Sequence, residues 1–313
     1  MSKVRILIPD GLHPNGVEAL IKYGEVDDRN GIDSQELCAI IADYDALIIR
    51  GRTIIDAALL DKATRLKVIG RAGVGIDNID LSSCKLRGVK VVNTPTAATL
   101  SVAELTVGLM MTLARPIIYG NETIKQGDWL KKELVGIELF GKTVGIIGLG
   151  RIGSQVAKIL QVFGVDMIGF DIRPLTKKVK RMNVKEVTLD DIYRLSDFIS
   201  IHVPLYESTR EMINEASFQQ MKNGVRIVCT SRGGIIDEAA LLKALDSGKV
   251  SSAALDVFSK EPPGNTPLTT HPRVVATPHI GAQTEEAQIR SAVEVAGEVI
   301  AALNGEALRW EVY

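Results

Sequence analysis

The sequence predicts an α/β protein with two doubly wound parallel sheets, and three observations support this fold class. Short apolar runs alternate with helical patterns along both halves of the chain. The segment VGIIGLGRIG (144–153), with G-x-G-x-x-G spacing, follows a strand-like run near the middle of the chain rather than at its start. A chain of 313 residues is also long for one domain, so two domains are expected.

A first series of strand candidates lies in residues 1–99. Its members are the apolar runs VRILIP (4–9), DALIIR (45–50), LKVIGR (66–71) and VKVVN (89–93). Helix-like stretches separate them, and Asp33 and Glu36 have the spacing of a capping box at the start of one stretch. No glycine-rich loop follows the first strand, so this domain is not expected to be a standard nucleotide binder.

A second series of strand candidates begins at the glycine-rich segment. Its members are the runs at 142–148, 166–171, 198–203, 226–231, 251–258 and 273–278. The amphipathic stretch from Thr284 to Gly305 follows the last of these strands, so it is expected to return to the first domain. The predicted organisation is a domain at 100–284 inserted into a discontinuous domain formed by 1–99 and 285–313.

Composition argues against several classes of function. The chain has 37 basic and 38 acidic residues and a formal net charge of −1, so it lacks a basic field for nucleic acid or an anionic membrane. It has no apolar run of about 18 residues and no signal region at its start, so a cytoplasmic protein is expected. Its three cysteines are far apart and its four histidines lack helical pairing, so no metal site is expected.

The glycine-rich segment predicts a dinucleotide site. Its glycines lie between a strand and a helix pattern, where they allow a tight turn and bring a pyrophosphate to the helix N-terminus. Asp171 ends the next strand and can bind the adenosine ribose hydroxyls, which favours NAD, whereas Arg173 nearby could hold the extra phosphate of NADP. The residues of the turn that are assigned to the cofactor are Gly148, Gly150, Arg151, Ile152 and Gly153.

Three later segments place a reactive residue beside turn residues: SRGGIIDE (231–238), DVFSKEPPG (256–264) and TPHIGA (277–282). Together with the glycine motif, their order and spacing resemble the D-2-hydroxyacid dehydrogenases, and among them the phosphoglycerate dehydrogenases most closely. The resemblance includes RAGVGIDNID (71–80) and extends from the first strand to the last helix. It implies a Rossmann NAD-binding domain inserted into a flavodoxin-like substrate domain, and an NAD-dependent oxidoreductase.

The chemistry of such an enzyme suits the residues in these segments. Oxidation of a 2-hydroxy acid requires a hydride acceptor, a base and a cation for the carboxylate. NAD is the acceptor, His279 is the expected base, and Arg232 is expected to bind the carboxylate and polarise the carbonyl oxygen. The resemblance further implies that Glu261 orients the histidine and stabilises its protonated form, and that Asp256 reaches the nicotinamide carboxamide. Thr230 is also assigned to the cofactor site.

The substrate is predicted from charges in the first domain. Arg50 and Arg71 end two parallel strands, whose carboxyl ends share one sheet edge, so both can hold a dianion. The resemblance assigns both arginines to the substrate, with Val74 and Gly75 binding its carboxylate through backbone N–H groups and Lys131 as a further basic contact. D-3-Phosphoglycerate, oxidised to 3-phosphohydroxypyruvate in serine biosynthesis, is the predicted small-molecule substrate.

Two alternatives stay open on the sequence. One is a glycerate, glyoxylate or hydroxypyruvate reductase of the same family, and the other is an NAD-sensing binding protein of the same fold without turnover. The resemblance also implies a homodimer or homotetramer, and a short form without a C-terminal regulatory domain. Ala98 and Cys229 depart from the family pattern, because many relatives have Asn at both positions.

Overall fold

The computed structural model describes residues 3–313, with the exception of the side chain of Lys178. The chain divides into two compact units. One unit runs to Thr99 and resumes over Ala282–Tyr313, and the other is Leu100–Gly281. The second crossing therefore lies between Gly281 and Ala282, whereas the sequence analysis placed it between residues 284 and 285.

The first unit contains a parallel sheet of five strands. Its strands are β1 (Arg5–Ile8), β2 (Glu25–Asp28), β3 (Ala46–Ile49), β4 (Val68–Arg71) and β5 (Lys90–Asn93). They follow the order β2-β1-β3-β4-β5, which is the flavodoxin-like order of a doubly wound sheet. The sequence pattern missed β2, because this edge strand has the polar sequence EVDD and no buried residue.

Four helices connect these strands. They are α1 (Pro14–Tyr23), α2 (Ser34–Ile40), α3 (Ala57–Lys62) and α4 (Leu81–Leu86). Asp33 caps α2, since its Oδ1 accepts the N–H groups of Gln35 and Glu36 at 2.8 and 2.9 Å. One of the two hydrogen bonds of the predicted capping box is therefore seen, namely the one from the Glu36 N–H to the Asp33 side chain.

The second unit contains a parallel sheet of seven strands. Its strands are β6 (Thr143–Ile147), β7 (Asp166–Phe170), β8 (Val184–Glu186), β9 (Phe198–Ile201), β10 (Val225–Cys229), β11 (Val250–Leu255) and β12 (Val274–Ala276). The order β12-β11-β10-β9-β6-β7-β8 is the dinucleotide-binding order with one added edge strand. It confirms the predicted fold class and puts the switch point between β6 and β9.

Helices alternate with the strands of this unit or precede them. They are α5 (Thr99–Ala114), α6 (Ile117–Gln126), α7 (Arg151–Leu160), α8 (Lys177–Lys180), α9 (Leu189–Leu195), α10 (Glu215–Gln220) and α11 (Glu238–Asp246). Short 3₁₀ turns occur at Ile41–Asp43, Gln161–Phe163 and Glu207–Thr209. No single helix of the described chain is long and apolar enough to cross a membrane; α5 and α6 reach that length and composition only as a pair bent by 64°.

The last helix, α12 (Glu285–Asn304), packs on the sheet of the first unit. Val295 and Val299 are fully buried there, in a cluster with the apolar residues of β1, β3 and β4. A Cβ atom at Gly70 in β4 would lie 2.5 Å from the Val299 side chain, so only glycine allows this close approach. The helix therefore belongs to the first compact unit.

Candidate active site

The turn between β6 and α7 is shaped by its glycines. Gly148 has φ +88°, and a Cβ atom there would lie 2.8 Å from the backbone of His202. At Gly153 a Cβ atom would lie 2.0 Å from the carbonyl oxygen of Gly148, so α7 can start against the strand only with glycine at this position. Gly150 is the N-cap of α7 and has no side-chain cap, and no described atom lies within 4 Å of a Cβ placed there. Because glycine provides no side chain to cap the helix, this N-terminus has the character of an anion-binding site.

Asp171 is joined to this turn from the end of β7. Its Oδ2 accepts the N–H of Leu149 at 2.8 Å, and its Oδ1 accepts the N–H of Arg173 at 3.1 Å. The remaining lone pairs of the carboxylate suit ribose hydroxyls. Ile172, which the sequence reasoning overlooked, has an 87% exposed side chain directly after this acid and offers an apolar surface for a planar base. Open amides and this carboxylate fit the phosphates and ribose of NAD.

The other residues assigned to the cofactor differ in exposure. Arg151 is exposed at the start of α7, whereas Ile152 is half-buried against the core. Thr230 is buried after β10, with its hydroxyl 2.8 Å from that of Thr106. Because the Thr106 hydroxyl donates to the carbonyl oxygen of Val102, the Thr230 hydroxyl donates to Thr106 and keeps its own oxygen as a free acceptor.

Glu261 and His279 meet from the loops that follow β11 and β12. The Nδ1 atom of His279 lies 2.7 Å from Oε2 of Glu261, and Oε1 of Glu261 accepts the N–H of Phe258 at 3.1 Å. A carboxylate can only accept, so Nδ1 carries the hydrogen in this pair. Nε2 of His279 is the atom left for a proton of the substrate, and the side chain is half-exposed.

The charge state of Glu261 follows from its surroundings. Partial burial opposes ionisation of the carboxyl group, but hydrogen bonds from His279 and the Phe258 N–H outweigh it. The positive charge of Arg232, and that of His279 when it is protonated, act in the same direction. The pKa of Glu261 is therefore lowered from its ordinary value, and the residue is a carboxylate at neutral pH.

Arg232 lies beside the loop that carries Glu261. Its Nη1 donates to the carbonyl oxygen of Ser231 at 2.7 Å. A Cβ atom at Gly233 would lie 1.8 Å from the carbonyl oxygen of Phe258, so the two loops are in direct backbone contact only because residue 233 is glycine. The structure thus brings Arg232, Glu261 and His279 into one neighbourhood within the second unit.

Asp256 makes contacts that the sequence did not predict. Its side chain is fully buried, and its oxygens accept hydrogen bonds from Thr277 Oγ1, Ile280 N–H and Gly281 N–H at 2.6–2.9 Å. These three donors flank His279, which has φ +53°. Asp256 therefore holds the histidine loop, and its contact with the nicotinamide carboxamide stays a prediction.

Arg50 and Arg71 lie at neighbouring strand ends in the first unit. Ile49, the last residue of β3, pairs with Arg71, the last residue of β4. Arg50 is the next residue after Ile49, so the two arginines leave the same edge of the sheet from neighbouring strands. The Nη1 atom of Arg71 donates to the carbonyl oxygen of Ala72 at 3.0 Å. Gly73 has φ +144°, and a Cβ atom there would lie 1.5 Å from Nη1 of Arg71. The arginine head group thus occupies space that only glycine leaves open.

The remaining predicted substrate contacts are separate from this pair. Val74 is partly exposed, and its carbonyl oxygen accepts Asn93 Nδ2 at 2.9 Å, while Gly75 is buried. Lys131 is exposed in the segment between α6 and β6 of the second unit.

Of the two departures from the family pattern, Ala98 is buried in the first unit. Cys229 is buried at the end of β10, with Sγ 3.4 Å from Ser231 Oγ, and burial raises the pKa of its thiol. Among residues 3–313 no group of three His, Cys, Asp or Glu side chains could hold a metal ion.

Comparison with known proteins identifies this arrangement. Residues 107–281 match the family model of the D-isomer specific 2-hydroxyacid dehydrogenase, NAD binding domain. The chain is 45% identical over 304 residues to the D-3-phosphoglycerate dehydrogenase of Methanocaldococcus jannaschii, covering 97% of the chain but only 58% of that longer relative.

Solved structures are similar to this chain over 96–100% of its length. A glyoxylate reductase from Paecilomyes thermophila has a TM-score of 0.91 at 30% identity, with 100% of this chain and 99% of that one covered. The D-lactate dehydrogenase from Aquifex aeolicus complexed with NAD and lactic acid has a TM-score of 0.84 at 30% identity, with 96% of each chain covered. The second unit is thus an NAD-binding domain, and the chain belongs to the D-isomer specific 2-hydroxyacid dehydrogenase family.

Proposed function

We propose that this chain catalyses the NAD-dependent oxidation of D-3-phosphoglycerate to 3-phosphohydroxypyruvate, a reaction of serine biosynthesis. The observation that carries the proposal is the pair of arginines at the ends of β3 and β4. A phosphate dianion requires charge-assisted hydrogen bonds to replace its hydration, each contributing about 1.5–3 kcal/mol. Two guanidinium groups at adjacent strand ends are suited to supply them.

The residues of the second unit supply the acid–base chemistry. Nε2 of His279 takes the proton of the C2 hydroxyl, and the ionised Glu261 at Nδ1 stabilises the resulting imidazolium. Arg232 binds the substrate carboxylate and stabilises negative charge on the carbonyl oxygen in the reverse direction. In reduction the same Nε2 returns its proton.

NAD supplies the hydride acceptor when bound. The N–H groups at the start of α7 would hold its pyrophosphate, and Asp171 would accept from the adenosine ribose hydroxyls. A carboxylate at this position repels the ribose phosphate of NADP, which supports NAD as the preferred cofactor although Arg173 is near.

A reductase of glycerate, glyoxylate or hydroxypyruvate is the second candidate, favoured by the likeness to the glyoxylate reductase structure. Such substrates lack the phosphate and would lose its charge-assisted hydrogen bonds with the arginines. The test is kcat/KM of the wild-type protein for 3-phosphoglycerate, glycerate and D-lactate, and for the corresponding keto acids. An advantage of about 10²–10⁴ for the phosphorylated pair is expected. Equal rates would establish the reductase, and no turnover of any acid would favour an NAD-sensing binding protein.

We also propose that two copies associate through the second unit. The segment from α6 to the start of β6 carries an unusual number of exposed apolar side chains, namely Ile117, Ile118, Tyr119, Ile124, Trp129, Val135 and Phe140. Exposed apolar side chains concentrated in one segment are typical of a protein interface. Sedimentation equilibrium distinguishes the expected dimer from a tetramer or a monomer, and Trp129→Ser with Val135→Ser should weaken the association.

A further inference from the structure

The carboxylate of Asp10 is devoted to one segment of the first unit. Asp10 follows β1, and only 2% of its side chain is exposed. Its Oδ2 accepts the N–H groups of Arg50 and Thr53 at 2.7 and 3.2 Å. Its Oδ1 accepts Thr53 Oγ1 at 2.6 Å and Arg52 Nε at 3.2 Å. All four donors belong to the turn RGRT (50–53) that follows β3.

A second side chain holds the same turn from its acceptor side. Asn78 Nδ2 donates to the carbonyl oxygens of Arg50 and Thr53 at 3.0 and 2.6 Å. Both backbone polar groups of Arg50 are therefore held by buried or half-buried side chains. The backbone at residue 50 is over-determined, unlike an ordinary surface turn.

The Arg50 side chain itself is held differently. Within residues 3–313 its guanidinium group has no hydrogen-bond or ion-pair partner. The guanidinium group of Arg52, in contrast, donates to the Asp10 carboxylate and to the carbonyl oxygen of Pro9. The hydrogen bonds to its backbone therefore fix where the Arg50 side chain leaves the turn. Asp10 neutralises one arginine of the turn and leaves the other for an anion.

We propose that Asp10 is a positioning residue that aims Arg50 at the phosphate end of the substrate. This inference rests on the proposed function, since it requires that Arg50 binds substrate. Loss of the carboxylate would release the N–H groups of Arg50 and Thr53 and let the turn sample other conformations. Substrate binding would then have to order the turn and the guanidinium group, and the lost conformational entropy would weaken the affinity. The effect should fall on substrate affinity and on the preference for a phosphorylated acid.

Asp45 provides a matched control. It precedes β3 at the opposite edge of the same sheet and is 5% exposed. Its carboxylate accepts the N–H of Arg5 at 3.1 Å and pairs with Arg65 and Lys67 at 2.9 and 3.3 Å. Asp10→Asn and Asp45→Asn therefore remove charges of similar burial from one unit, with 2% and 6% of the side chain exposed, but only Asp10 contacts the RGRT turn.

The experiment measures kcat and KM for 3-phosphoglycerate, the Kd for NAD and thermal stability in both variants. Asp10→Asn should raise KM for 3-phosphoglycerate roughly 10- to 100-fold, and the ratio of kcat/KM for 3-phosphoglycerate to that for glycerate should fall. The Kd for NAD should stay within about twofold of wild type. Asp45→Asn should lower stability with KM within about twofold. An unchanged KM in Asp10→Asn, or an equal rise in Asp45→Asn, overturns the proposal. If Asp10→Asn does not fold, Thr53→Val carries the test, with a smaller rise in KM expected and an unchanged KM overturning the proposal.

A double-mutant cycle identifies the residue through which Asp10 acts. In an Arg50→Ala background, Asp10→Asn should change KM by no more than about twofold, because the group that it positions is already absent. A fully additive effect would mean that Asp10 acts elsewhere and would overturn the proposal. If KM for 3-phosphoglycerate rises in Arg50→Ala but not in Asp10→Asn, only the positioning role of Asp10 is refuted. An unchanged KM in Arg50→Ala refutes the proposed substrate site as well.

Discussion

Glu261 and His279 share a hydrogen bond of 2.7 Å between Oε2 and Nδ1, and the pKa of Glu261 is lowered by this contact despite partial burial. The folded protein therefore releases the Glu261 proton more readily than the unfolded chain. The stabilising effect of the carboxylate is present above the ordinary carboxyl pKa and is lost as pH falls through the lowered value. Glu261→Gln should thus be less stable than wild type at pH 7, and the difference should shrink below pH 4.5. Urea unfolding at several pH values measures it, and a difference independent of pH would contradict the charged pair.

His279→Ala should lower kcat by about 10²–10⁴, because the substitution removes Nε2, the atom proposed to take the proton of the substrate hydroxyl. The Kd for NAD should change little, since the glycine turn is untouched. His13→Ala is the control: His13 caps α1 through its Nδ1 atom, so its loss should cost some stability but no turnover. Near-native kcat in His279→Ala would remove this residue from the mechanism.

Gly73→Ala should disturb the substrate site through Arg71. The added Cβ atom would overlap the Arg71 guanidinium group, so the head group must move. A rise in KM for 3-phosphoglycerate of about 10-fold or more is expected, because a displaced charge loses its hydrogen bonds. Gly88→Ala is the control for backbone strain, since Gly88 has φ +68° but no described atom within 4 Å of its Cβ position. Equal kinetic effects in the two variants would assign the loss to strain alone.

His202 should make the fold sensitive to acid. It is half-buried beside the glycine turn, with Nε2 2.8 Å from Ser200 Oγ, and desolvation of its ring lowers its pKa to about 4. The unfolded chain binds this proton near pH 6.5, whereas the folded protein does so only near pH 4, so stability is lost as pH falls between these values. Between pH 7 and pH 4.5, wild type should lose about 2–3 kcal/mol more of its unfolding free energy than His202→Gln. Parallel losses in urea unfolding would show that His202 is not the group responsible.

Asp171→Ser should reduce the preference for NAD. The change removes the charge that repels the phosphate of NADP, and Arg173 then lies near without a competing acid. The ratio of kcat/KM for NAD to that for NADP should fall by about 10-fold or more. Arg173→Ala is the matched variant and should shift the ratio in the opposite direction. A ratio that does not respond to either change would place cofactor selection elsewhere.

The sequence by itself determined the class of fold and the family. Short continuous apolar runs identified the central strands of both sheets because these strands are buried on both faces. It failed at β2 and β8, whose sequences are EVDD and VKE, because short edge strands need no apolar run. The glycine turn and Asp171 could be recognised from spacing because the tight turn and the helix start are local, and NAD as cofactor is confirmed. The roles of the individual site residues remain predictions.

Only the tertiary structure decided which side chains hold the functional loops. Asp10 lies 40 residues from Arg50 in the chain, and Asp256 lies 24 residues from Ile280, yet each carboxylate binds the backbone of the other segment. A buried carboxylate must find donors, but its sequence neighbours do not say which ones, since parallel strands bring distant turns to one edge. The same applies to the C-terminal residues, where the N–H of Val312 donates to the carbonyl oxygen of Val91 and Glu311 forms an antiparallel bridge with Val92 in β5. Spacing therefore reveals local motifs, whereas the contacts that aim them depend on long-range packing.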